Sequence, residues 1–245
     1  MDLSITDVPA WLSILFILCF ATIPVLLITN TVQTIFKNKD PEKSKSLTKK
    51  IKLFYGAFFS LIAIVSLTGF FKENVLPPRI ILFGTLPLSL FYFLYVQRTA
   101  WFKILFQQIK IEQLIFIHLF RFVGVFFLLV YLYGALPKQF AFIGGLGDII
   151  TATLVLPVIW TIKNKKPFAK ALVWVWNIIG MLDIISVLTT AIIMTKAATE
   201  INGAGVQQFG TFPFSWTPAF APATIIFLHY LLFKKLTEKT DSNFK

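Results

Sequence analysis

Charge is scarce in this 245-residue sequence. Only 14% of its residues are Asp, Glu, Lys or Arg, against 57% hydrophobic types, and the mean hydropathy is +0.78. That is roughly half the charged share of an average soluble domain, too little polar surface to cover one water-soluble globule. Acidic residues are the scarcer sign, 11 against 23 basic ones, a net charge of +12. An excess of that size in a soluble protein points to nucleic acid. Here the placement of the charges excludes it. No charged residue occurs in the 29 positions between Asp7 and Lys37, nor in the 33 between Glu200 and Lys234. Such runs belong in a bilayer.

Other absences narrow the field. The single Cys19 lies in an apolar run and cannot form an internal disulfide, so the fold needs no oxidising compartment. The H-E-x-x-H, G-x-S-x-G and P-loop patterns are missing, as is C-x-x-C-H. Nothing therefore marks the chain as an enzyme. The opening residues carry Asp2 and Asp7 but no Lys or Arg, and the apolar run from Trp11 to Phe36 exceeds the core of a signal peptide. It reads as a first membrane span.

What is present is a series of apolar segments near the 20 or so residues that a helix needs to cross hydrocarbon. Helices satisfy their backbone internally, which lipid requires. The expected fold class is all-α, a polytopic transmembrane helical bundle forming one integral membrane domain over residues 1–245. Its seven expected spans cover 11–36, 51–71, 80–96, 113–134, 140–162, 171–195 and 217–233. The third holds Gly84 and Pro87, which predict a short, kinked or re-entrant segment.

Sorting the basic residues orients the chain. With the amino terminus outside, the inner segments hold Lys37, Lys39, Lys43, Lys45, Lys49, Lys50 and Lys52; then Arg98, Lys103 and Lys110. Lys163, Lys165, Lys166 and Lys170 follow, and the tail adds Lys234, Lys235, Lys239 and Lys245. The outer segments hold only Lys72, Arg79, Lys138 and Lys196. This asymmetry follows the positive-inside bias and predicts seven crossings with the carboxyl terminus cytoplasmic. The expected location is a plasma membrane, the inner one in a bacterium. The lipid bilayer is the one partner composition implies, and nucleic acid is not expected.

Loops are short. Lys196 to Trp216, rich in glycine and aromatics, reads as an interfacial loop whose rings settle among the headgroups, with Trp11, Trp174, Trp176 and Trp216 as interface anchors. Ala100–Gln108 mixes large apolar and polar residues and predicts a segment lying along the interface.

Ionisable groups within the spans are the features most tied to function, because charge at the bilayer centre costs at least about 2.5–3.5 kcal/mol per residue. They are Arg121, Asp148 and Asp183, joined by His118, Asn177 and His229. At a rise of about 1.5 Å per residue, Arg121 and Asp183 fall at matching depths, roughly 18–20 Å from the outer ends of their spans. His118 and His229 fall slightly deeper, Asn177 deeper still, and Asp148 only about 10 Å in. Matching depth predicts an Arg121–Asp183 ion pair, with His118 on the face of Arg121 because three residues separate them. Asp148, being shallow, is a candidate for contact with a lipid headgroup. Gly145–Leu–Gly–Asp148 echoes Gly180–Met–Leu–Asp183, a likeness short enough to be chance.

Three functional readings follow. The leading one is a transporter or ion- or proton-coupled permease, with a small solute, proton or ion passing a polar site among spans four to seven built from Asp183, Arg121, His118, His229, Asn177 and Asp148. Asp and His change protonation with their surroundings. The second is a non-catalytic receptor, assembly or structural protein, in which the same residues set helix order. The third is a redox protein with a b-type haem on His118 and His229, or a metal held by both histidines and an Asp. A retinal pigment is excluded, since Thr217–Phe233 contains no lysine for a Schiff base.

Overall fold

The computed structural model describes residues 8–37, 39–201 and 205–238. Asp2, Asp7, Gly203, Lys239 and Lys245 lie outside the described residues. Seven helical segments within them are long and apolar enough to cross a bilayer: Ala10–Phe36, Pro41–Leu67, Ile81–Arg98, Ile111–Leu132, Lys138–Lys163, Ala169–Glu200 and Trp216–Thr237. An all-α bundle of seven membrane-crossing helices is the architecture.

The first span is one helix, α1 (Ala10–Phe36). The second, α2 (Pro41–Leu67), starts ten residues before the expected Ile51. Its start carries full helix-initiating chemistry: the Asp40 side chain accepts from the Lys43 amide, Pro41 opens the first turn, and Glu42 follows. Lys43 to Lys52 therefore stand on helical turns rather than in a loop.

The third span is irregular along its whole length. A π-helical turn (Ile81–Thr85) leads into α3 (Leu86–Leu90), a second π turn (Phe91–Tyr95) and a short 3₁₀ stretch (Val96–Arg98). Pro87 cannot donate to the carbonyl one turn back, which accounts for part of this loosening. The segment as a whole is still long and apolar enough to cross. Next comes α4 (Ala100–Gln108), flanked by extended Thr99 and Ile109, which buries Phe102, Leu105 and Phe106 at helical spacing.

The fourth span changes pitch midway, from α5 (Ile111–Ile117) through a 3₁₀ stretch (His118–Gly124) to α6 (Val125–Leu132). The fifth breaks at Leu154, between α7 (Lys138–Thr153) and α8 (Val155–Lys163), three residues before Pro157. At that break the Trp176 indole donates to the Thr151 carbonyl at 3.1 Å. The sixth, α9 (Ala169–Ile201), runs beyond the expected Thr195. The seventh is α10 (Trp216–Thr237).

α10 is the axis of the bundle: 78% of its apolar window is buried, against 22% for α2. Pro222 within it lacks an N–H, which would leave the Pro218 carbonyl without its helical donor. The Thr85 hydroxyl, from the π turn of span three, donates to that carbonyl at 2.5 Å. One helix's proline is thus matched by the irregularity of its neighbour. Thr85→Val should cost about 1 kcal/mol, since it strands the Pro218 carbonyl while nearly conserving volume. A thermal midpoint in detergent equal to that of the wild type would refute this role.

Side-chain contacts pin the two ends of the bundle. Trp11–Tyr133, Phe16–Phe214 and the Ser66 hydroxyl on the Gly210 carbonyl (2.9 Å) lie at one end. Lys235 on the Gln107 carbonyl, Lys234 over Phe106 and Trp174 against Phe233 lie at the other. The described lysine clusters share this second end, the lysine-rich face; Lys72, Arg79, Lys138 and Lys196 occupy the lysine-poor face.

The expected headgroup aromatics are corrected. Phe209 packs on Phe127 and Phe140, Phe214 is fully buried against Phe16, and Trp216 is only 7% exposed. A buried indole needs an acceptor, and Trp216 finds the Phe59 carbonyl at 2.9 Å. Trp176 is also buried, whereas Trp11 is half exposed, as an interface anchor would be. Phe16, Phe20, Phe59 and Phe220 continue the interior as one stacked pair and several edge-on or tilted ones, geometries that aromatic quadrupoles favour when the stacking is offset.

Candidate functional site

The change of pitch in span four places the site. In a 3₁₀ helix residues i and i+3 eclipse, so His118, Arg121 and Gly124 line one edge, and all three are buried. That edge faces α7, α9 and α10. Close approach is permitted by glycine. A Cβ on Gly124 would fall on the Asp148 Cβ and the Gly145 carbonyl, and one on Gly147 would overlap the Asp183 carboxylate. The Gly-x-x-Asp echo thereby acquires a meaning: each copy sets a glycine and a carboxylate on one helix face, and both carboxylates meet the same guanidinium. The repeat does equivalent work twice.

Arg121 is completely buried and has four partners. Its Nε donates to Asp148 Oδ1 at 2.6 Å, and its Nη2 to Asp183 Oδ2. Nη1 donates to the Gly180 carbonyl at 3.3 Å and to His229 Nε2 at 3.1 Å. Because a guanidinium only donates, His229 Nε2 must accept, which places the ring proton on Nδ1. That nitrogen meets Asn177 Oδ1 at 2.7 Å, while the Asn177 amide donates to the His229 main-chain carbonyl at 3.2 Å. Asn177 thus fixes both the tautomer and the rotation of His229.

His118 completes the cluster in a different way. It is fully buried, its ring lies 4.4 Å from that of His229 and stands edge-on to Trp176 at 5.1 Å, and neither nitrogen meets a hydrogen-bond partner among the described residues. His118 therefore has unused donor and acceptor capacity.

All six residues singled out from the sequence come together. The predicted Arg121–Asp183 pair is present. Arg121 also reaches Asp148, which the count along the spans sets roughly 8–10 Å shallower, because the arginine side chain is long. Asp148 engages Arg121 through Oδ1, so that oxygen is not free for a headgroup. Asp148 does line a pocket of about 70 Å³ that reaches the lysine-poor face between Asn74, Phe209 and Pro218. The pocket lining is mostly apolar, with Asp148, Thr195, Gln207 and Thr217 among the polar members. Trp176, Gly124 and the Gly180 carbonyl were missed; main-chain groups and an enclosing ring leave no mark in a list of ionisable residues.

The haem and metal readings do not fit this geometry. Touching imidazole rings leave no space for an iron and a porphyrin plane between them, and His229 Nε2 is already engaged by Arg121. No group of three His, Cys, Asp or Glu side chains among the described residues is arranged to hold a metal ion.

No curated protein and no solved structure matches the chain. Residues 77–237 match a family model described as a domain of unknown function (DUF8737), a stretch that holds all six site residues and leaves α1 and α2 outside. Since the match covers well over half of the sequence, the chain belongs to this family.

Proposed function

We propose that the chain is a permease that moves a proton, or a small cation or solute coupled to one, past the Arg121 cluster. The observation that carries this reading is a mismatch of charge. One guanidinium faces two carboxylates, so with both ionised the cluster holds one negative charge more than a structural pair requires. An unbalanced charge at this depth is costly, and a proton or cation bound to a carboxylate balances it. Asp183 is the partner free to change, its side chain 12% exposed against 7% for Asp148 and none for Arg121. The pocket ending on Asp148 supports access from the lysine-poor face. Unpartnered His118 supports onward transfer, since it can accept a proton or hydrogen-bond a passing solute.

The test is flux in vesicles of purified chain containing a pH-sensitive dye, under an imposed pH gradient with Na⁺, K⁺ or no added cation. Wild-type protein should dissipate the gradient faster than empty vesicles. Asp183→Asn (D183N) keeps a hydrogen-bond partner for Arg121 and should elute as a folded species, yet lower the rate to background, at least tenfold. Equal rates for D183N and wild type would remove Asp183 from the coupling role.

A second reading, a non-catalytic receptor, assembly or structural role, is favoured by the four satisfied contacts of Arg121, which make the cluster a competent staple between four helices. Wild-type vesicles no leakier than empty ones would favour it.

A further inference from the structure

A second chamber, independent of the Arg121 cluster, occupies the lysine-rich half of the bundle. It measures about 280 Å³ and is walled by α1, α2, span three, α4, α5 and α10. Its lining is almost wholly aliphatic and aromatic. Protein interiors are close-packed, and apolar cavities take apolar guests rather than water. In a bilayer the guest at hand is an acyl chain.

Two polar features specify what that chain is attached to. Lys50 lines the chamber, is exposed, and pairs with no carboxylate among the described residues. Deeper along α2, Tyr55 OH meets Tyr92 OH at 2.9 Å, which meets Thr224 Oγ1 at 3.1 Å, and all three residues line the chamber. Three hydroxyls carry three protons but make two mutual bonds, so one donor is left for a guest oxygen. Tyr55 follows Lys50 by five positions, roughly 7.5 Å along the helix axis, so lysine and hydroxyls come in the order of phosphate and ester carbonyl in a glycerophospholipid entering from this face. Phe54, one turn beyond Lys50, stacks on Phe91 at 4.6 Å, and Phe91 on Tyr95 at 5.3 Å, while Tyr95 itself is mostly exposed. These rings form the wall of the chamber between α2 and span three.

We infer that this chamber binds one anionic glycerophospholipid from the leaflet at the lysine-rich face, with phosphate at Lys50, ester carbonyl on the tyrosine hydroxyls, and one acyl chain inside. The full-length chain in phosphatidylcholine nanodiscs doped with phosphatidylglycerol bearing a photoactivatable group near its acyl terminus tests this. Only a chain inside the chamber reaches Leu114 and Ile117, which line it and are 1% and 4% exposed, whereas Leu61 and Ile64 face outward. Label is expected on Leu114 and Ile117. Lys50→Gln should lower it roughly fivefold, as expected for one lysine near anionic lipid, and Lys50→Arg should preserve it. Label confined to Leu61 and Ile64 overturns the proposal. So does equal labelling by a phosphatidylcholine probe, an unchanged signal in K50Q, or suppression by free glycerol phosphate, which would make the site one for a soluble anion. D183N should label like the wild type, which separates this site from the permease reading.

Discussion

Arg121→Leu (R121L) is expected to destabilise the bundle by about 3–5 kcal/mol, the range found when one member of a buried ion pair is removed. The effect is large because two carboxylates, rather than one, lose their counter-ion, and His229 and the Gly180 carbonyl lose a donor as well. R121L protein should extract poorly and elute as aggregate from size exclusion in mild detergent. Recovery separates this account from a simple pair. If Arg121 served Asp183 alone, R121L with Asp183→Leu (D183L) would restore most of the loss. With both carboxylates engaged, D183L should restore only part of it, and R121L/D148N/D183N should recover clearly more. Strictly additive losses in these combinations would show that the groups do not interact.

Gly124→Ala is the second large effect expected, although it adds a single methyl. That methyl would meet the Asp148 Cβ and the Gly145 main-chain oxygen, neither of which is the far end of a flexible side chain. Span four and α7 must separate, at a cost of about 1–3 kcal/mol from overpacking and with lengthening of the Arg121–Asp148 contact. Gly56→Ala is the control. It lies within α2 with nothing close to its added Cβ, so it should be neutral or stabilising by about 0.5–1 kcal/mol. Thermal midpoints of the two variants in the same detergent decide the matter, and equal midpoints would refute close helix contact at Gly124.

Much of this molecule could be read from its sequence because a bilayer simplifies the reading. Uncharged runs of the right length have one physical outcome, so the seven crossings were legible, and the six ionisable or amide-bearing residues within them were conspicuous by their cost. Where the reading failed, composition was silent about direction. Trp216 and Trp176 look like headgroup anchors by type, but they face inward because Phe59 and Thr151 offer carbonyl acceptors, which only the fold reveals. The start of α2 was missed because its lysines disguise a good helix start behind Asp40 and Pro41. Asp148 was counted as shallow and left unpaired with Arg121 because a count along the axis ignores the reach of an arginine, which brings the two together. The echo around Asp148 and Asp183 was visible but uninterpretable until both were seen on one guanidinium.

The 3₁₀ stretch of span four stores a screw motion. Rewinding His118–Gly124 as α-helix would shorten this seven-residue piece by roughly 3.5 Å and swing His118 about 60° around the axis relative to Arg121. The imidazole would then leave the line it shares with the guanidinium and change its contacts with His229 and Trp176. Because the piece shortens, one end of the span must move with the ring, so a turn of His118 and a shift of α5 or α6 along the axis are a single motion.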